Sequence, residues 1–157
     1  MPELKLNTGS VKLKISDDRD GSKVRYIEFN PNDIIFAEKV YALERKFLEK
    51  QESMQAKAQA LDAVEETDEF DLPVNTEERL AFIREISEWL RDQIDDLFGE
   101  GTSDAVFGDL HSLDVYEQFF DGIKPYFKKA RSEKVDQYRR KVIEDRKKIE
   151  ADKAAKE

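Results

Sequence analysis

The stretch LAFIREISEWLRDQIDDLFG, residues 80–99, decides the fold class. Leu80, Ile83, Ile86, Leu90, Ile94 and Leu97 fall three or four apart, with Phe82 and Trp89 beside them. Arg84, Glu85, Glu88, Arg91, Asp92 and Asp95 take the opposite face. That period predicts an amphipathic helix with one side in a core. Gly99 is a natural stop for it. Upstream, Pro73 and Asn75, with Glu78 three residues on, read as its capped start.

Working toward the N-terminus, Glu65–Pro73 is an acidic linker. Before it, Val40, Phe47, Met54 and Leu61 recur every seven residues, with Phe36 and Leu43 between them. Lys50 and Lys57 then replace the second apolar series. This predicts a long helix to about Ala63, packed along its first half. Asn30-Pro31-Asn32-Asp33 reads as its start, with Asn30 as cap and Pro31 in the first helical position. Further upstream the period changes to two. Leu4, Leu6, Val11, Leu13 and Ile15 alternate with polar residues, and Val24, Tyr26 and Ile27–Phe29 follow a turn at Asp17–Ser22. The expectation is a small antiparallel hairpin or three-stranded sheet. Ser16–Gly21 resembles a calcium loop only in part, with Ser16 at the first ligand position and Ile27 at the last, so a turn is the better reading.

Toward the C-terminus, three glycines and two phenylalanines in residues 98–108 suggest a folded loop with one helical turn after Ser103. Ser112 or Asp114 caps a final helix whose face carries Val115, Tyr116, Phe119, Phe120, Ile123, Tyr126 and Phe127. Pro125 predicts a kink or break near Asp121–Gly122. Beyond Arg131 the apolar residues thin to Val135, Tyr138, Val142, Ile143 and Ile149, and the helix is expected to fray after about Lys148. The fold expected is therefore α+β, mainly α, with a small N-terminal β segment and three or four helices, the last long and partly exposed. Its parts are residues 1–29, a helical domain at 30–130, and a charged helical arm at 131–157.

The chain has 157 residues and a net charge of −9. Residues 62–121 hold 3 basic and 19 acidic groups, while residues 131–157 hold 10 basic and 7 acidic. A net negative chain repels phosphate backbones, which argues against nucleic acid. No apolar run approaches the ~18 residues that cross a bilayer. There is no cysteine and one histidine, His111. Thiolate sites are excluded, and neither a metal nor a cofactor site is expected. Asp92, Asp95 and Asp96 lie within one turn but read as a solvated face. Gly99-Glu100-Gly101 lacks the strand, lysine and hydroxyl of a phosphate cradle. His111 has no nucleophile in a recognisable frame and reads as a surface or capping residue. No catalytic constellation emerges, so the chain reads as a non-enzyme. The candidate site is instead the aromatic set Phe98, Phe107, Phe119, Phe120, Tyr126 and Phe127, which reads as core, as a groove for a partner's amphipathic helix, or as both.

Phe29-Asn30-Pro31-Asn32-Asp33 leads into the first long helix. Phe98-Gly99-Glu100-Gly101-Thr102-Ser103 and Val106-Phe107-Gly108 follow the second. Phe119-Phe120-Asp121-Gly122-Ile123-Lys124-Pro125-Tyr126 closes the set. In these features the chain from Val24 to about Arg140 resembles the tail assembly chaperones of long-tailed phages and prophages of Gram-positive bacteria. The resemblance implies a cytoplasmic protein of the bacterial host that binds the tape-measure protein, with the tail-tube protein as a secondary candidate partner, and leaves before the virion is complete. It implies no cofactor and leaves a homo-oligomer open. A structural particle protein that joins neighbours by strand addition, and an acidic adaptor or inhibitor, are the competing expectations.

Overall fold

The computed structural model describes residues 1–19 and 24–156, with side chains described outside 129–139 and 156. Strand β1 (Val11–Ile15) pairs antiparallel with β2 (Arg25–Phe29), placing Val11 opposite Phe29 and Leu13 opposite Ile27. Four helices follow among the described residues: α1 (Ile34–Asp62), α2 (Thr76–Phe98), α3 (Thr102–Phe107) and α4 (Leu113–Lys156). The α+β, mainly helical class expected from the sequence is the observed one.

The period of two in the hairpin sorts its faces. Val11, Leu13, Ile15, Ile27 and Phe29 turn inward, while Lys12, Lys14, Tyr26 and Glu28 face out. Leu4 and Leu6 do not extend the sheet and stand 84% and 76% exposed. The chain turns before β1: Gly9 adopts φ +81°, and the Asn30 side-chain amide donates to the Thr8 carbonyl. A Cβ on Gly9 would lie 2.1 Å from Asn32 Nδ2, so only glycine lets the turn close against that side chain. Of the turn that follows β1, Asp20, Gly21 and Ser22 lie outside the described residues.

Two expected caps have other duties. Asn30 opens a turn, its carbonyl accepting from Asp33 N at 3.1 Å, and Asp33 is the cap of α1, accepting from Ile35 N at 3.0 Å. Pro31 sits second in that turn, where its fixed φ belongs. Asn75 makes no side-chain cap bond to α2. Its amide donates to the Leu61 carbonyl at 2.9 Å and its oxygen accepts from Arg79 Nε at 2.8 Å. Arg79 also donates to the Leu61 and Val64 carbonyls. The pair thus satisfies acceptors left open at the end of α1.

Along α1, Phe36, Val40 and Leu43 are buried and the later apolar positions only partly so. The interrupting lysines have partners. Lys50 lies 5.8 Å from the Trp89 ring, and Lys57 lies 5.4 Å from Phe82 while pairing with Glu85 at 2.7 Å. Their stems cover α2 aromatics and their charges stay in water. On α2, Ile94 and Leu97 are buried, but Leu80 and Ile83 remain exposed, so its apolar face is covered only in its second half.

Ser112 caps α4, with its hydroxyl accepting from Val115 N. The helix runs unbroken across Pro125 to Lys156, past the expected end near Lys148. Proline removes one donor, yet Phe119 and Phe120 before it and Tyr126 and Phe127 after it all pack on the core. Both halves are held from the side, which offsets the lost bond. No element boundary falls at residue 130.

The hairpin is tied to α3 by cations. Arg19 and Arg25 both donate to the Asp17 carboxylate and to the Val106 carbonyl, and Arg19 also reaches the Phe107 carbonyl at 2.6 Å. These are terminal carbonyls of α3, where positive charge is favoured. Hydrogen bonds from Arg19, then Arg25, hold the Asp17 carboxyl well below the usual carboxylate range. A depressed carboxyl contributes stability above about pH 4, and the contribution fades as acid protonates it. Asp17→Asn is therefore expected to lower the melting temperature at neutral pH and to narrow its gap to the parent in acid. A gap that stays constant from neutral pH into strong acid would show that the charge does not anchor the hairpin.

Candidate functional site

The six aromatics expected to form one site divide among the core, a contact with the hairpin and a groove. Phe107 is 2% exposed and packs edge-on to Tyr116 at 4.8 Å and Phe119 at 5.4 Å. Phe98 and Tyr126 meet Phe29 edge-on, each at 5.4 Å. Only Phe120 and Phe127 reach the main groove, an open cleft of about 560 Å³ between α1 and α4. Val40, Leu43 and Phe47 form its α1 wall, Leu90 its floor, and Tyr116, Phe120 and Phe127 its α4 wall. Phe120 meets Phe47 edge-on at 5.8 Å, and Phe127 lies 6.2 Å from Phe36. Helices α1 and α4 are therefore antiparallel walls.

A second cleft of about 370 Å³ shares Glu44 and Phe47 and continues along α1 through Leu48, Gln51 and Met54. From Val40 to Met54 the α1 wall covers 14 rises of ~1.5 Å, roughly 21 Å, or about four helical turns. The rim is charged, with Glu44, Glu117 and Asp121 against Lys124 and Lys128. The spacing alone reads Val40, Leu43 and Phe47 as the packed half of a long helix, with a self-associating coiled coil as the lesser alternative. The heptad on α1 and the aromatic stripe on α4 were both legible, but not that they face each other across an open cleft.

A separate polar cluster lies behind the groove. Arg91, placed by period on the solvent face, is in fact 8% exposed. It donates to Tyr116 Oη at 2.8 Å, to the Gly108 carbonyl at 2.7 Å, to the Leu110 carbonyl, and to Asp104 at 3.1 Å. Ser87 Oγ sits 2.7 Å from both Tyr116 Oη and His111 Nδ1. His111 thus does meet a serine, 24 residues away in sequence. Ser87 is 1% exposed, so no substrate carbonyl can reach its oxygen. The pair serves to hold the loop before α4 on α2. Asp95 likewise accepts from Ser103 N at 2.8 Å and holds α3, while Asp96 lies 3.7 Å from Lys46. Among the described residues no group of three or more His, Asp or Glu could hold a metal ion. No helix among them is long and apolar enough to cross a membrane.

Fold and groove together define a small helix-rich α+β protein with an open apolar cleft. The chain belongs to a family of unknown function (DUF6673), which matches residues 22–156 and so begins downstream of β1. No curated protein and no solved structure matches it.

Proposed function

We propose that the chain is a phage tail assembly chaperone whose α1–α4 groove receives an amphipathic helix of the tape-measure protein. The observation that carries this reading is the groove itself. It has apolar side chains on both walls of the main cleft and is open along one side, and its α1 wall continues through the second cleft for about four helical turns in all. A tape-measure protein is a very long helical chain whose apolar stripe must be covered until the tail tube grows around it. A helix laid in this groove would bury anchors at i, i+3 or i+4 and i+7. The 36 acidic residues of the chaperone would keep the complex dispersed. The protein acts in this scheme in the bacterial cytoplasm and is absent from the finished virion.

Co-expression with the tape-measure protein tests the reading. Soluble tape measure and co-purification are expected with the parent chain. Leu48 is 70% exposed on the groove's extension. Leu48→Asp should change stability by no more than ~0.5 kcal/mol, as surface substitutions do, and should abolish co-purification. Equal tape-measure solubility with and without the chain would overturn the proposal. A second reading rests on the two-stranded sheet, in which β1 leaves one edge unpaired among the described residues. Such an edge suits a structural particle protein that adds strands to neighbours, and stoichiometric presence in purified virions would favour it.

A further inference from the structure

The far half of α4 and the α1–α2 corner are complementary surfaces at opposite ends of the molecule. From Arg140 to Ala155 every residue of α4 is exposed. Val142 and Ile149, seven residues apart, are 43% and 58% exposed and share one face. With these two at the seam position of a heptad, Lys141 and Lys148 flank one side and Arg146 and Lys153 the other. From Arg140 to Ala155 the helix holds six basic and four acidic groups, and the residues flanking the seam are all basic. Two such arms side by side would set like charges against each other, so the arm does not suit itself. Its complement must be apolar with an acidic border.

The corner between α1 and α2 has that character. Residues 64–78 carry seven carboxylates and no lysine or arginine. Among them Phe70, Leu72 and Val74 are 81%, 50% and 51% exposed, and Leu80 beside them is 60% exposed. The corner is built rather than loose. Asp68 accepts from Phe70 N at 2.8 Å and Leu72 N at 3.1 Å, and donates through its own N–H to the Leu72 carbonyl. Thr67 and Pro73 form a bridge, and Asn75 with Arg79 fastens the corner to the end of α1. A fixed turn that holds a phenylalanine at its tip, out in water, carries an uncompensated cost in the lone chain.

The two surfaces cannot meet within one chain. Phe120 packs on Phe47 and Phe127 on Phe36, so α4 leaves the body past the start of α1, while the corner lies at its end. From Phe36 to Leu61 that is 25 rises, roughly 37 Å. The α4 helix is unbroken and points away. We infer that the C-terminal arm of α4 docks on the α1–α2 corner of a second copy of this chain, joining copies head to tail. The contact is heterologous, so repetition closes a ring or extends a filament. It uses neither wall of the groove and goes beyond the client reading, holding whether or not the groove binds a tape-measure helix.

Sedimentation of the full chain tests it. Species larger than the monomer should appear with rising concentration in dilute salt. They should dissolve in about 1 M salt, where screening acts over roughly 3 Å. Reversing the arm (K141E/R146E/K148E) or the corner (E65K/E66K/E69K) should each leave a monomer with unchanged circular dichroism, since all six side chains are exposed. Mixing the two variants should restore association, because each then offers what the other lacks. The chain has no cysteine, so Phe70→Cys combined with Ile149→Cys should give a ladder of disulfide-linked multimers on oxidation. A monomer at every concentration and salt, association that survives either reversal, or a bridge closed within one chain would overturn the inference.

Discussion

Arg91→Met is expected to cost about 2–3 kcal/mol, because it removes a buried guanidinium whose hydrogen bonds are charge-assisted, while the Leu110 carbonyl and Tyr116 Oη keep other partners in each other and in Ser87. Methionine keeps much of the stem's volume, so the loss isolates the guanidinium. The acceptors are the Gly108 and Leu110 carbonyls and Tyr116 Oη. The ion pair with Asp104 is not the source of the cost, since the Asp104 side chain is 84% exposed. Asp104→Asn should accordingly stay within ~1 kcal/mol, the range of exposed pairs. Urea unfolding followed by circular dichroism measures both. Near-equal losses for the two variants would show that the charge pair matters and the carbonyl contacts do not. With a total stability of order 5–15 kcal/mol for a native domain, the Arg91 loss would leave the loop carrying His111 and the start of α4 poorly held.

Arg91 also marks where sequence reading ends. The α2 period, the stop at Gly99, the turn of α3 and the start near Pro31 were legible because each is a local matter of spacing and backbone preference. The same period puts Arg91 on the polar face, and its angular position fits. What the period could not carry was that the carbonyls of residues 108 and 110, on a separate loop, would fold over that face and need a donor. Asn75 failed in the same way: it has the residue type and place of a cap, but the end of α1 lies near enough to claim it. Lys50 and Lys57 looked like decay of a heptad, and their role appears only once Trp89 and Phe82 lie across from them. The candidate site was half legible. The aromatic stripe of α4 was found, but its division among core, hairpin contact and groove depends on where three other elements sit.

The hairpin offers the other large effect. Phe29→Ala should cost about 3–5 kcal/mol, the range for a buried aromatic cut to alanine. Phe29 is 7% exposed and touches three helices at once: stacked on Phe36 of α1 at 5.3 Å, and edge-on to Phe98 of α2 and Tyr126 of α4. Each such pair adds ~0.5–1.5 kcal/mol beyond area alone. Two strands by themselves are marginal in water, so without this anchor the sheet should lift from the helices while α2 and α3 stay joined through Arg91 and Asp95. Hydrogen exchange separates this from global unfolding: amides of β1 and β2 should lose protection first, those around residues 91–103 last. Uniform loss across both regions would mean the hairpin is an integral part of one cooperative core. The consequence reaches the groove as well. Phe36 holds both Phe29 and Phe127, and Phe127 forms the end of the α4 wall. A loosened Phe36 frees that wall to move, so the hairpin, which lines no part of the groove, sets how firmly its mouth is held.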